Sequence, residues 1–210
     1  MRRIHVLGSS HACRILEAVT HNVELTKIFS ISGTVKPGAK LADLKFPSQY
    51  LAGFKESDVL LIQLFGNELI KRNIIVERKN GKKIIHLTAF EPEPAWKIQR
   101  ACTRLKELLE PLQCRIFIID NPLRHIRCCR KHRKGLKGLH SYLEKQNRLL
   151  ARNFGSAITV LNHKKYLGMS RRKTGNLKVY LKLFSDSVHF KRNVYSSLAQ
   201  RIAEKHLLIN

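Results

Sequence analysis

Short apolar runs that stop at small or polar residues recur along the chain and alternate with segments of helical periodicity. Ile4-His5-Val6-Leu7 stops at Gly8-Ser9-Ser10-His11 and leads into a helix expected to begin near Ala12, with Ile15, Leu16 and Val19 on one face. Val23-Glu24-Leu25 and Lys27 to Ile31 read as extended, ending at Ser32-Gly33. After a turn at Pro37-Gly38, Ala39 to Leu44 reads as the first turns of a helix. Asp58 to Leu64 is the clearest buried strand, apolar on both faces and followed by a loop at Phe65-Gly66-Asn67-Glu68.

From 74 to 87 the pattern changes. Two β-rich runs flank Asn80-Gly81, the dipeptide that suits a tight hairpin turn, so a hairpin inserted into the α/β body is expected at 74–87. A helix from Ala95 to Leu109 follows, with Ile98, Cys102, Leu105, Leu108 and Leu109 as its apolar stripe. Cys114 to Ile119 reads as a strand, Leu139 to Phe154 as a helix, Ala157 to Leu161 as the last core strand, and Val194 to Leu207 as a C-terminal helix. Strands alternating with helices predict an α/β fold with a doubly wound parallel sheet covered on both faces. The chain shows no internal repeat or dividing linker, so one domain spanning 1–210 is expected.

Charge alters this picture more than any other bulk property. Forty Lys and Arg against 15 Asp and Glu leave a formal charge of +25. Such an excess repels itself, and a polyanion that releases counterions on binding is its natural counterweight, with RNA the first partner expected. The charge concentrates in basic segments at 124–137 and 164–182. Arg124, Arg127, Arg130, Lys131, Arg133, Lys134, Lys137, Arg171, Arg172 and Lys173 are the candidate nucleic-acid contacts. Arg130 to Lys134 reads equally well as a nuclear-localisation signal. Aromatic residues are only 7% of the chain, so Tyr142, Tyr166 and Tyr180 are expected in core or ordinary surface roles rather than stacking on bases.

No apolar run is long enough to span a bilayer, and the piece after Arg2 and Arg3 is too short for a signal-peptide core. The five cysteines form no paired framework. An intracellular protein, cytoplasmic or nuclear, with reduced thiols is therefore expected. His125, Cys128, Cys129 and His132 have spacing that invites zinc, but adjacent cysteines chelate poorly as a pair and their cationic neighbours disfavour another cation. No metal and no cofactor are expected.

Candidate chemistry gathers at strand ends. Ester hydrolysis needs a nucleophile, a base, a carboxylate to orient the base, and donors for the oxyanion. Ser10 follows the first strand, Gly33 and Gly38 the second, Asn67 the third, and Asp186 and His189 lie after the last. A carboxylate three residues before a histidine can hold its imidazole while the other ring nitrogen faces a serine. The competing reading of Ser9 and Ser10 is that they cap the following helix.

These blocks resemble those of the SGNH or GDSL hydrolases. Gly8-Ser9-Ser10-His11 is similar to the family's first block, Lys36-Pro37-Gly38-Ala39 to the second, Phe65-Gly66-Asn67-Glu68 to the third and Asp186-Ser187-Val188-His189 to the last. The resemblance implies a flavodoxin-like sheet and a serine ester hydrolase acting on a small acyl ester. It makes Ser10 the nucleophile, His189 the base and Asp186 its partner. The oxyanion hole would be Ser10 N–H, Gly38 N–H and the Asn67 side chain, with Gly33 as the alternative to Gly38. Ser9 stands where the family has Asp, Glu68 where it has Asp, and Phe65 where it usually has Gly, which is expected to narrow the rim. The Pro-Gly-Ala block is also similar to that of esterase-like domains in some non-LTR retrotransposon proteins, and the basic charge to the RNA-binding SGNH-like domain of Oskar. The second reading is accordingly a catalytically silent SGNH-fold RNA-binding or ribonucleoprotein component.

Overall fold

A computed structural model describes residues 1–67, 70–79, 82–122, 133–154, 158–167, 182–185 and 189–208, with the backbone alone described for 70–79, 82–92 and 133–140. The five-stranded sheet grows around the first strand, β1 (Arg2–Gly8). It pairs in parallel with β2 (Phe29–Val35) on one side and β3 (Val59–Gln63) on the other. Beyond β3 lie β6 (Arg115–Ile119) and β7 (Thr159–Leu161), also parallel. With the intervening hairpin set aside, the order β2-β1-β3-β6-β7 is the flavodoxin-like 2-1-3-4-5 arrangement.

The central strands are apolar on both faces because both faces are covered. Ile4, Val6, Leu7, Val59, Leu60, Leu61 and Ile62 are essentially inaccessible to water. Helix α1 (Ser10–Thr20) buries Ala12, Ile15 and Val19, and packs against β1 and β2. Helix α4 (Ala95–Leu109) buries Ile98, Cys102, Leu105 and Leu109, the stripe that the apolar period predicts, with Leu108 half-buried.

Several boundaries differ from the sequence reading. Residues 23–25 are helical rather than extended: α2 (Val23–Ile28) is started by Asn22, whose side chain accepts the Leu25 N–H at 3.1 Å. The following strand does not end at Ser32-Gly33 but runs through them to Val35. Ala39 to Leu44 forms only one 3-10 turn, Leu41–Asp43, closed by Asp43 accepting the Lys40 N–H. A one-turn helix, α3 (Ser48–Leu51), precedes β3.

The hairpin is longer than its apolar run. Strands β4 (Ile70–Lys79) and β5 (Lys82–Pro92) make a separate antiparallel sheet, with a register shift between Asn73 and Ile74. Lys79 pairs with Lys82 across Asn80-Gly81, which lie outside the described residues. Helix α5 (Arg133–Phe154) begins six residues before the expected Leu139. Helix α6 (His163–Tyr166) occupies the start of the stretch expected to be a basic loop. The last helix, α7 (Arg192–Ile202), closes in a π-turn at Ala203–Leu207. Among the described residues, no helix is long and apolar enough to cross a membrane.

Candidate active site

The strand order reverses between β1 and β3, and the carboxyl ends of the strands at such a reversal are where open parallel sheets bind ligands. Gly8, the last residue of β1, lies directly beside Gln63, the last of β3. Its φ of +149° is a conformation that side chains rarely adopt, and a Cβ there would lie 1.9 Å from the Gln63 carbonyl oxygen. Only glycine lets the chain turn so close to its neighbour. The turn is then pinned on both sides. Ser9 N–H donates to the Gln63 carbonyl at 3.1 Å, and Lys36 N–H donates to the Gly8 carbonyl at 2.9 Å.

Ser9 takes the N-cap position of α1, yet its side chain makes no capping hydrogen bond. Ser10 is the first helical residue and is half-buried. The capping explanation of Ser9 therefore fails in its geometry, and Ser10 is left at the rim on a rigid strand-to-helix turn.

On one side of Ser10, the second and third blocks meet. Lys36 to Ala39 form a tight turn closed by Ala39 N–H donating to the Lys36 carbonyl at 3.1 Å. Pro37 and Gly38 are its central residues, and the Gly38 φ of +77° is what a type II turn requires at that place. A Cβ on Gly38 would meet nothing within 4 Å, so the turn faces open space. Buried Asn67 donates its side-chain N–H to the Ala39 carbonyl at 2.9 Å, tying the third block to this turn. Gly33 has a different setting. It lies inside β2 opposite Val6, where a Cβ would come within 2.7 Å of Leu16 and 3.0 Å of the Val6 carbonyl. That contact explains the glycine by helix–sheet packing, and of the two it is Gly38 that stands beyond the strand end.

On the other side lies His189. Its ring is 5.2 Å from that of His11, the residue next to Ser10. Among the described residues, no hydrogen bond joins Ser10 to His189; in unliganded sites such bonds are often long and tighten with substrate. Asp186 lies outside the described residues, as do Glu68 and the zinc-like set at 125–132. The nucleic-acid candidates Arg124, Arg127, Arg130, Lys131, Arg171, Arg172 and Lys173 lie outside them too. Arg133, Lys134 and Lys137 fall in α5, where the backbone alone is described.

Phe65 does not narrow the rim as expected. It is fully buried, with its ring 6.2 Å from that of Phe154 in the core. A strand end whose next side chain points inward is filled by the core rather than by the crevice.

Three polar arrangements at this edge escape the block pattern. Buried His11 and Tyr195 share a 2.6 Å hydrogen bond, and the Tyr195 hydroxyl also accepts the Phe190 N–H at 3.3 Å. One tyrosine thus connects the start of α1 to the residue after His189. Asp120, just past β6, accepts the His163 N–H at 2.8 Å and is also bonded to His163 Nδ1, both groups being buried. Gln63 donates to Asn121 at 3.2 Å, and Asn147 exchanges hydrogen bonds with Asn121. The only signal in the chain for these is polar residues at strand ends. The partners Tyr195 and Asn147 lie on helices far along the sequence, and no spacing rule reaches them.

Solved structures match this fold over nearly the whole chain. A lipolytic protein of the G-D-S-L family from Veillonella parvula aligns with a TM-score of 0.61 at 12% identity, covering 100% of both chains. An acetyl xylan esterase aligns at 0.58 and 13% identity, over 98% of this chain and 100% of its own. A carbohydrate acetylesterase from Sinorhizobium meliloti aligns at 0.53 and 10% identity, over 98% of each. The fold is that of the SGNH hydrolases, as the block order implied. No protein-family model matches the sequence, and no curated protein matches it.

Proposed function

We propose that the protein is a serine ester hydrolase. Ser10 attacks an acyl carbonyl while His189 takes the hydroxyl proton, and Asp186 orients the His189 ring. The carbonyl π electrons move to oxygen, giving a tetrahedral oxyanion stabilised by Ser10 N–H, Gly38 N–H and the Asn67 side-chain amide. Collapse of this intermediate returns the electron pair, expels the alcohol with the proton from His189, and leaves an acyl-serine. Water, deprotonated by His189, then releases the acid and restores Ser10.

The observation that carries this reading is the position of Ser10. It follows β1 at the switch point of the sheet; the Asn67-anchored turn is bonded to Gly8, two residues before it, and the His189 ring packs on His11, the residue after it. That an acetyl xylan esterase and a carbohydrate acetylesterase share the fold adds support for the reaction class. A fluorophosphonate probe is expected to label the folded protein at Ser10 and not the Ser10→Ala variant. With p-nitrophenyl acetate, Ser10→Ala is expected to lose roughly 10⁴-fold or more of the activity. Equal labelling of both proteins would remove Ser10 as nucleophile.

A second activity, RNA binding, is favoured by the formal charge of +25. Affinity for RNA is expected to fall steeply with salt, because neutralised phosphates release counterions. Absence of binding at low salt would leave the charge without this partner.

A further inference from the structure

We propose that the outward face of α4, built on Trp96, Arg100 and Arg104, is a docking surface for single-stranded nucleic acid. The proposal rests on the RNA-binding reading above and gives it a location apart from the basic segments. The three residues are four apart, so they stack along one side of the helix with about 6 Å of rise between neighbours. The opposite side holds Ile98, Cys102, Leu105 and Leu109 in the core, which fixes the direction in which the ridge points.

Trp96 is 60% exposed although it is the largest apolar side chain in the protein. The Lys97 ammonium lies 5.8 Å from its ring centroid, a cation–π contact that steadies one face of the ring. Arg100 and Arg104 are exposed and make no hydrogen bond or ion pair among the described residues. Their neighbours Lys40 and Lys97 differ, since both are paired with buried Glu93, at 3.5 and 2.8 Å. Among the described residues, the two guanidinium groups are therefore charges of this face without an ion-pair partner.

A groove of about 290 Å³ runs along the ridge, between it and Lys40, Leu41 and Ala42, the segment that follows the Gly38 turn. On the far side a shallower depression is lined by Gln99, Thr103 and Glu107, the last being the one carboxylate of this face. A planar ring beside planar cations suits a ligand that alternates flat bases with phosphates. The ring stacks and each guanidinium binds phosphate oxygens in a fork. An anionic membrane would want more bulk apolar surface than one indole flanked by alanines.

Trp96 is the chain's only tryptophan, so its fluorescence reports on this face alone. The full-length protein is titrated with fluorescein-labelled oligouridylate, reading anisotropy and tryptophan emission together. Quenching is expected to saturate with binding. Trp96→Ala is expected to weaken affinity about tenfold, and Arg100→Gln with Arg104→Gln to lower the salt slope by roughly one per arginine. Circular dichroism checks that both variants are folded. Binding without quenching, and unchanged in the arginine variant, would overturn this surface and leave RNA binding elsewhere on the chain. No binding even at low salt would overturn the RNA reading and this surface with it. Equal quenching by polyphosphate would refute base stacking. Quenching by phosphatidylserine vesicles but not by the oligonucleotide would assign the face to a membrane instead.

Discussion

The two ends of the central sheet solve the same problem, the termination of buried strands, by opposite means. At the amino end, Asp58 is saturated with donors. It accepts the Arg3 backbone N–H at 2.7 Å, the Arg3 guanidinium at 3.0 and 2.6 Å, and the Lys55 N–H at 2.9 Å. Burial alone would raise its pKa, but these donors hold the carboxyl below its ordinary range. The Arg3 guanidinium in turn lies 4.3 Å from the Phe54 ring centroid. This end is closed by charge and has no capacity left for a ligand.

At the carboxyl end, around β1 and β3, closure is done by backbone and amides, with the Asp120–His163 pair farther along the edge past β6. Gly8, the Lys36–Ala39 turn, Gln63, Asn67 and Asn121 hold one another with neutral hydrogen bonds. Among the described residues the buried Gln63 side-chain oxygen has no hydrogen-bond partner. A rim built in this way carries no formal charge of its own, and the unpaired Gln63 oxygen is an acceptor that would take a hydrogen-bond donor rather than an anion. Glu93 extends the contrast. Its pairing with Lys97, and then with Lys40, holds its carboxyl below the ordinary value, and it anchors Lys40, the residue just past the Lys36–Ala39 turn.

Substitutions can break this contrast at either end. The largest effect is expected for Gly8→Ala, whose Cβ would lie 1.9 Å from a backbone oxygen that cannot move aside. A loss of at least about 4 kcal/mol is expected, enough to unfold a marginal domain, read as loss of the cooperative denaturation transition. A normally stable variant would mean that the strand end is softer than its geometry implies.

Asp58→Ala should cost about 3 kcal/mol by stranding Arg3 and two backbone donors, with catalytic turnover of the surviving folded fraction unchanged. Urea denaturation and kcat together test this. A drop in kcat at undiminished folded fraction would erase the division of labour between the two ends.

Acid should act next most strongly, through His5 in the middle of β1. Its ring is bonded to Ser32 at 2.9 Å and Thr34 at 3.0 Å, and burial lowers its pKa to about 4. Between pH 6.5 and 4 the unfolded chain takes up a proton that the folded chain refuses. The stabilisation is therefore complete above pH 6.5 and is lost as pH falls, by on the order of 2–3 kcal/mol. His5→Gln should flatten the decline in denaturation midpoint between pH 7 and 4.5. An identical decline in both proteins would place the sensitivity in other groups.

The smallest effect on stability is expected for Gly38→Ala. Its added methyl meets no atom, so only the positive φ costs, about 1 kcal/mol. Ester turnover should suffer more than stability, since the turn must shift to relieve the strain. A variant with unchanged kcat would detach the turn from the oxyanion.

The period of apolar residues was enough to locate the parallel strands and helix α4, because burial on two faces or one is written directly into which positions are apolar. Residues 23–25 were misread because their apolar and polar order suits either state, and the deciding contact is one side-chain cap from Asn22. The first three blocks follow strands β1, β2 and β3, at places marked by glycine or a small polar residue, whereas His189 lies far along the chain from the last strand, β7, and Asp186 lies outside the described residues. The sequence by itself thus determined which runs are strands and the types of group that follow them, though not where β2 ends. Only the tertiary structure gave Gly33 and Gly38 their different settings, one under Leu16 and the other in an open turn. It alone turned Phe65 into the core, joined His11 to Tyr195, and left Trp96 exposed beside two arginines that have no ion-pair partner among the described residues. The physical reason is range. Periodicity records what each residue meets on average across a face, whereas these outcomes depend on single atoms from segments distant in the chain.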